Sequence, residues 1–172
     1  MRGLFVVVLM VLHLPGAAAA DLKQLNVRTD RFTAGAFCAY PSGRTMPAPA
    51  TRDGTVDYQA TPYRMVIEGD EVPAISGLGV GIIVKLHDFS PGETLTLQTD
   101  WSERATPDTW QTTLNDDGTF WFGVVPGVGS SLAWGKYRLA AFRGRETLFI
   151  YDILVSQPMK PTDYQLCIAV VS

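Results

Sequence analysis

The sequence has few of the residue types that most often carry catalysis or bind metal ions. It contains two histidines and two cysteines in 172 residues, and His87 is the one histidine after the first twenty residues. A nucleophilic site of the Ser-His-Asp or Cys-His type needs a base beside a nucleophile, and no nucleophile motif accompanies His87. We interpret His87, next to Asp88, as a solvent-facing residue at a strand end, and we predict no catalytic residues.

The chain also lacks a basic surplus and, beyond its start, a long apolar run. Its 14 lysines and arginines are outnumbered by 17 aspartates and glutamates, for a formal net charge of −3. Nucleic-acid binding usually uses a clustered basic surface, so we predict no nucleic-acid partner. A membrane-spanning helix needs about 20 apolar residues, and no segment after residue 20 provides them. We therefore predict no membrane span once the N-terminal leader is removed.

The N-terminus has the three parts of a secretory signal peptide. Arg2 supplies the positive charge, residues 4–14 form a short apolar run, and small residues follow as far as Ala18 and Ala20. A spanning helix would need a longer run, and the small residues favour cleavage. We predict cleavage between Ala20 and Asp21 and export to the periplasm or the medium.

The two cysteines, Cys38 and Cys167, lie near the two ends of the mature chain. In an oxidising compartment an even pair predicts a disulfide. A metal site normally needs more Cys or His ligands, and nothing local marks either residue as a reactive thiol. Closing so long a loop would stabilise the fold by roughly 5 kcal/mol on the chain-entropy model.

The stretch Gly135–Val155 predicts a hairpin on which the rest of the fold depends. Tyr137 and Leu139 share one face of its first arm, and Gly144 suits the tight turn. A hairpin alone is marginal in water, so its apolar faces need further strands. Strand-like runs follow residue 63 with frequent turns and no amphipathic helix, which predicts an all-β sandwich. The other predicted strands of this core are 63–69, 77–86, 94–101, 110–114 and 119–125.

Two local patterns make finer predictions. Gly79 and Gly81 leave one side of their strand bare, which favours a close backbone approach or a bulge. Residues 115–118, Asn-Asp-Asp-Gly, predict a hairpin turn between the strands at 110–114 and 119–125. This turn has the oxygen ligands that calcium prefers but lacks the distal Glu of a calcium loop, so we predict no metal and no cofactor. A hydrolase with paired acids remains an alternative for which we nominate no pair.

The chain changes character at residues 41–62, which are rich in Pro, Gly, Thr and Ala and predict an irregular connection. We therefore divide the chain into a leader at 1–20, an N-terminal flank with this connection at 21–62, a sandwich core at 63–157 and a C-terminal flanking strand at 158–172. The disulfide is predicted to clamp the two flanks over a sheet. Leu148, Ile150 and Leu154 favour such a cover, because they make the second face of the hairpin apolar.

Several features follow the order found in a known family. Arg64 is followed by Val72-Pro73-Ala74 and Gly77, then by the Gly79/Gly81 strand, and later by Trp134-Gly135-Lys136-Tyr137 before the closing hairpin. Over about residues 61–157 this order resembles a family of exported bacterial β-sandwich domains of unknown function. The resemblance implies an immunoglobulin-like antiparallel fold and no established activity, and no catalytic residues carry over from it.

Tryptophans are the one feature of the sequence that indicates binding. Trp101 shares the apolar face of its strand, which predicts a core position. Trp121 lies between Phe120 and Phe122 and Trp110 borders a polar loop, so both are predicted to face outward. Exposed aromatic rings suit sugar rings or a protein partner.

These observations favour a non-enzymatic exported binding or structural domain of the bacterial cell envelope. Its partner would be another envelope protein, which could add a strand to an exposed sheet edge. The alternative is a carbohydrate-binding module that holds a glycan with Trp110 and Trp121.

Overall fold

A computed structural model describes residues 22–39, 43–58, 61–101, 106–125, 132–157 and 167. Within these residues the chain forms twelve strands and no helix. The strands are β1 (Leu22–Leu25), β2 (Thr29–Cys38), β3 (Thr45–Pro47), β4 (Thr55–Asp57), β5 (Met65–Glu68), β6 (Glu71–Pro73), β7 (Leu78–Leu86), β8 (Thr94–Trp101), β9 (Asp108–Thr113), β10 (Thr119–Val124), β11 (Gly135–Arg143) and β12 (Glu146–Ser156).

The strands form two large sheets and one small hairpin. The six-stranded sheet has the order β1-β12-β11-β8-β9, and β6 also pairs with β12. The four-stranded sheet has the order β10-β7-β2-β5, and β3 pairs with β4. Every pairing is antiparallel except β6 with β12. The predicted all-β sandwich is confirmed.

The two sheets are held together by the apolar side chains that alternate along their strands. On the four-stranded sheet Val80 and Ile82 are fully buried, as are Leu139 and Ile153 on the six-stranded one. Phe149 links the layers, because its ring stacks on Phe120 and Phe122 of β10 at centroid distances of 6.2 and 6.3 Å. These inward faces follow the period-2 pattern of the sequence.

The strand order is that of an immunoglobulin-like sandwich, which confirms this prediction. The run β12-β11-β8-β9 follows the order G-F-C-C′, and β7 and β10 are adjacent like strands B and E. At the start of β11 the buried Tyr137 donates its hydroxyl hydrogen to the Ala133 carbonyl, at 3.1 Å. A tyrosine bonded in this way near the start of strand F is a known feature of this fold.

The sandwich begins earlier than the predicted boundary at residue 63. Strand β2 lies between β7 and β5, and β1 pairs with β12, so the segment 21–62 contributes two strands to the sheets. The predicted irregular connection also contains the β3–β4 hairpin. Strand β2 belongs to the core because it pairs with β7 over nine positions. Local composition does not predict such a long-range partner.

The predicted disulfide is confirmed. Cys38 at the end of β2 is bonded to Cys167, with 5.5 Å between their Cα atoms. The bridge therefore ties the C-terminal flank to a strand in the middle of the four-stranded sheet. The predicted leader at 1–20, with its cleavage point, and the rest of the predicted C-terminal strand lie outside the described residues. No helix within the described ranges is long and apolar enough to cross a membrane.

Two predictions about hairpins are wrong. Strands β9 and β10 belong to different sheets, so the turn at 115–118 connects the layers instead of closing a hairpin. In the β11–β12 hairpin a bulge follows Ala141, and Leu148 is fully buried in the core instead of lying on the outer face. The extra residue of a bulge changes which side chains point inward.

A small aromatic layer covers part of the outer face of the four-stranded sheet. Phe37 points away from the main core, yet only 2% of it is exposed. Its ring lies against the bare backbone of Gly79, Gly81 and Gly123, and Tyr63 stacks on it with 3.7 Å between ring centroids. The sequence predicts a close backbone approach or a bulge at Gly79 and Gly81; on this outer face it is an aromatic ring that lies against them, and their strand pairing has no bulge.

We predict that Gly81→Ala destabilises the protein by about 1–3 kcal/mol, the usual cost of overpacking. A Cβ at this position would lie 2.7 Å from the Phe122 carbonyl oxygen and 3.0 Å from the Phe37 ring. Urea unfolding of the variant measures the loss.

The matched control is Gly144→Asn in the β11–β12 turn. A Cβ there meets nothing within 4 Å and φ is +57°, a conformation that Asn tolerates. Equal stability losses in the two variants would contradict the steric explanation.

Candidate functional site

The two tryptophans predicted to form a binding patch do not share a surface. Trp110 lies on β9 of the six-stranded sheet, and its ring packs edge-on against Phe122 at 5.9 Å. Its partner in register is the buried Leu97. Trp110 therefore points toward the core and packs against it. Trp121 lies on β10 of the other sheet and points to the outer face, between the inward-facing Phe120 and Phe122. The prediction that Trp110 faces outward is wrong.

His87 and Asp117 each have a structural partner. His87 is exposed, and its Nδ1 lies 2.8 Å from an oxygen of Asp30. In the turn after β9, Asp117 accepts bonds from the hydroxyl and the N–H of Thr119, which lowers the pKa of this carboxyl. Within the described part of the chain no three His, Cys, Asp or Glu side chains come together as a metal site would require.

One carboxylate is buried on the outer face of the six-stranded sheet. Asp152 accepts two bonds from the guanidinium of its cross-strand neighbour Arg138, at 2.8 and 3.2 Å. The Lys136 ammonium lies 3.7 Å away. The bond to Asp152 raises the pKa of Arg138. Charge-assisted bonds of this kind, here with two cationic side chains around one carboxylate, hold Asp152 and Arg138 in a fixed geometry on the sheet surface.

At the β10 edge of the four-stranded sheet, some backbone groups point away from the described strands. The Leu86 N–H donates to the Gly118 carbonyl at 3.1 Å, so the backbone groups of Gly118 point toward β7. Since this direction alternates along an antiparallel strand, Trp121 and Gly123 direct N–H and C=O away from β7. The N–H and C=O of Thr119 also point away from β7, but both are hydrogen-bonded within the turn. Among the described strands none pairs with this edge.

Strand β9 forms the corresponding edge of the six-stranded sheet. Leu114 N–H donates to the Glu93 carbonyl at 2.9 Å, so by the same alternation Thr109, Gln111 and Thr113 direct their backbone groups outward. Thr109 N–H donates to the Ala50 carbonyl at 3.2 Å. The contact between Trp110 and Phe122 places the β9 and β10 edges on the same side of the sandwich. We call these two edges the open side.

The far side of β12, by contrast, is covered by two short strands, which themselves form the edge there. One side of β12 pairs with β11, and the other side is divided between β1 at residues 149–151 and β6 at residues 154–156. The sequence indicates exposed edges in general, but nothing in it distinguishes a covered edge from an open one. The short turn at 115–118 is compatible with either a hairpin or a connection between sheets.

We predict that Trp110→Ala destabilises the protein by about 1–3 kcal/mol, below the cost of deleting a fully buried aromatic ring. The loss follows from the contact with Phe122 and is measured by urea unfolding. The control is Trp134→Ala, because Trp134 is 60% exposed and exposed sites usually change stability by at most about 0.5 kcal/mol. A Trp110→Ala variant as stable as this control would contradict the core-facing position.

Burial in the aromatic layer, with the Asp57 carboxylate nearby, raises the pKa of Tyr63 above its usual range. The folded protein therefore holds this proton where the unfolded chain releases it, and stability is lost as pH rises above about 10. We predict that Tyr63→Phe makes the free energy of unfolding fall less steeply above that pH. Burial also raises the pKa of Tyr151, so part of the slope remains. Identical slopes in urea unfolding across this pH range would contradict the prediction.

No protein-family model matches the chain, and no curated protein matches it. Among solved structures, it is similar to an immunoglobulin-like protein from Pseudomonas aeruginosa. The match has 19% sequence identity and a TM-score of 0.48, and it covers 78% of this chain and 99% of that one. Membership of an exported family stays a prediction.

Proposed function

We propose that this chain is a non-enzymatic exported domain of the bacterial cell envelope that binds another envelope protein by strand addition. The observation that carries the proposal is the open side, where Gln111 and Thr113 direct backbone groups outward and no described strand pairs with them. An extended peptide satisfies such a row of N–H and C=O groups by adding one strand to the sheet.

The side chains at the β9 edge favour a reversible partner. Thr109, Gln111 and Thr113 are polar, and Gln111 and Thr113 are exposed. Polar residues are typical of the rim of non-obligate interfaces. Backbone bonds would then supply most of the affinity, and the neighbouring side chains would set the register.

The disulfide supports the exported setting. Bonds between cysteines persist in oxidising compartments and are rare in the cytosol, and this one joins residues 129 positions apart. This bond and the predicted leader at 1–20 support periplasmic or secreted localisation. The test is fractionation of cells that carry the full chain.

The arrangement of the acidic groups supports a role other than catalysis. Asp152 is bonded to Arg138, Asp117 to Thr119, and Glu93 to Arg143. The carbohydrate alternative required Trp110 and Trp121 on one surface, and these residues lie on different sheets and different faces. We therefore do not carry the carbohydrate alternative further.

Site-specific photo-crosslinking in intact cells tests the proposal. A photoreactive residue at Gln111 is expected to form an adduct with a second protein species, heavier or lighter than an adduct with the chain itself. The control position is Arg145, in the turn of the β11–β12 hairpin and away from the open side. Adducts of equal yield at both positions would contradict binding at the β9 edge.

A backbone variant separates strand addition from simple proximity. Gln111→Pro removes an N–H that points away from β8, and edge positions of this kind tolerate proline. With the photoreactive residue placed at Thr113, the adduct is expected to disappear in Gln111→Pro and to persist in Gln111→Ala. Thermal unfolding of both variants shows whether the fold is retained. An adduct of unchanged yield in the proline variant would exclude strand addition at β9.

A further inference from the structure

Strand β10 differs from the edge strands of most soluble proteins, because nothing in its sequence protects it. Natural edge strands usually carry charged residues, proline or a bulge that prevent pairing with another chain. The residues of β10, Thr119–Val124, include no charge and no proline, and their pairing with β7 is regular. The nearest ion pair, Lys85 with Asp117, lies at the turn end of the strand.

The other edges of the two sheets carry features that limit pairing. Where β1 and β6 form the edge of the six-stranded sheet, the strands have only four and three residues. At β9 the Thr109 N–H is already bonded to Ala50, and Asp108 begins the strand. At the far edge of the four-stranded sheet, β5 has only four residues and ends at the exposed Glu68. The β10 edge is therefore the one suited to a continuous strand pair.

The geometry of β10 determines which sequence would fit beside it. Trp121 and Gly123 point their backbone groups outward, so an antiparallel neighbour would bond to these two residues. Residues directly opposite in such a pair face each other on the same side of the sheet. The neighbour thus needs a small residue opposite the indole of Trp121 and a large one opposite the bare Gly123, two positions apart.

The chain's own β10 has this pattern, with Trp121 and Gly123 separated by Phe122. We propose that two copies of this chain pair antiparallel through β10 about a two-fold axis at Phe122, which joins their four-stranded sheets into one sheet of eight strands. Trp121 of each copy would lie opposite Gly123 of the other, with four backbone hydrogen bonds between them. An aromatic ring across an edge glycine is a known means of fixing strand register.

The aromatic layer on the outer face extends this fit. A Cβ built on Gly123 would lie 3.1 Å from the Phe37 ring, so that ring reaches the glycine that the second copy's indole would cover. The incoming indole would therefore meet the edge of the layer formed by Phe37 and Tyr63. This contact places apolar surface against apolar surface on the same face of the sheet.

The inference goes beyond the proposed function, because it needs no second protein. Loss of the β10 pair would not affect crosslinking at Gln111. Equally, the absence of an envelope partner would leave the pairing of two copies intact. The two proposals therefore fail independently.

Sedimentation equilibrium and amide hydrogen exchange of the mature chain, residues 21–172, test the inference. The mass is expected to rise from one copy to two with increasing concentration. Over the same range, exchange of the Trp121 and Gly123 amides is expected to slow by at least about tenfold, as amides that gain strand bonds do. The amides of Gln111 and Thr113 at the β9 edge serve as internal controls and are expected to exchange at an unchanged rate.

Trp121→Lys places a charge on the β10 edge and is expected to be monomeric at concentrations where the unaltered chain is dimeric. Gln111→Lys is the matched control at the other edge and is expected to keep the dimer. A chain that stays monomeric at all concentrations would overturn the inference. So would a dimer that resists Trp121→Lys but is lost in Gln111→Lys. If Trp121→Lys fails to fold, the exchange of the unaltered chain still decides, because unprotected Trp121 and Gly123 amides in a dimer exclude pairing through β10.

Discussion

The contact between the inward faces of two sheets is the interaction on which the rest of this structure depends. Burial of apolar side chains from β7, β11 and β12 supplies the main driving force, and the stacked rings of Phe149, Phe120 and Phe122 join the layers. Because every strand must direct one face to this core, the outer faces and the edges are what remain for other roles. The outer face of the six-stranded sheet carries the ion pair of Arg138 with Asp152. The outer face of the four-stranded sheet carries the aromatic layer over the glycines.

Strand β2 connects three features that look separate along the chain. It pairs with both β7 and β5, it contributes Phe37 to the aromatic layer, and it ends at the disulfide-bonded Cys38. The bridge therefore ties Cys167 to the end of an interior strand of the four-stranded sheet. A cross-link of this kind restricts the unfolded chain over a long loop and stabilises the folded state accordingly.

The two edges of the sandwich are unequal, and this asymmetry carries the functional argument. Strand β12 is covered by β1 and β6, whereas β9 and β10 lie together on the open side. Backbone donors and acceptors that the fold leaves unpaired favour an extended polypeptide over a small ligand. Because β9 is polar and β10 is uncharged and aromatic, we propose a different strand partner for each.

Local patterns along the chain were enough to predict the sandwich, the hairpin at Gly135–Val155 and the pairing of the two cysteines. Alternation has a period of two residues and redox chemistry depends on compartment, so neither needs knowledge of distant contacts. The partners of β2, the placement of β9 and β10 in different sheets, and the opposite orientations of Trp110 and Trp121 were decided only in the folded chain. Asn115–Gly118 suits several connections equally well, and pairing is chosen by which faces can be buried together across long sequence separations.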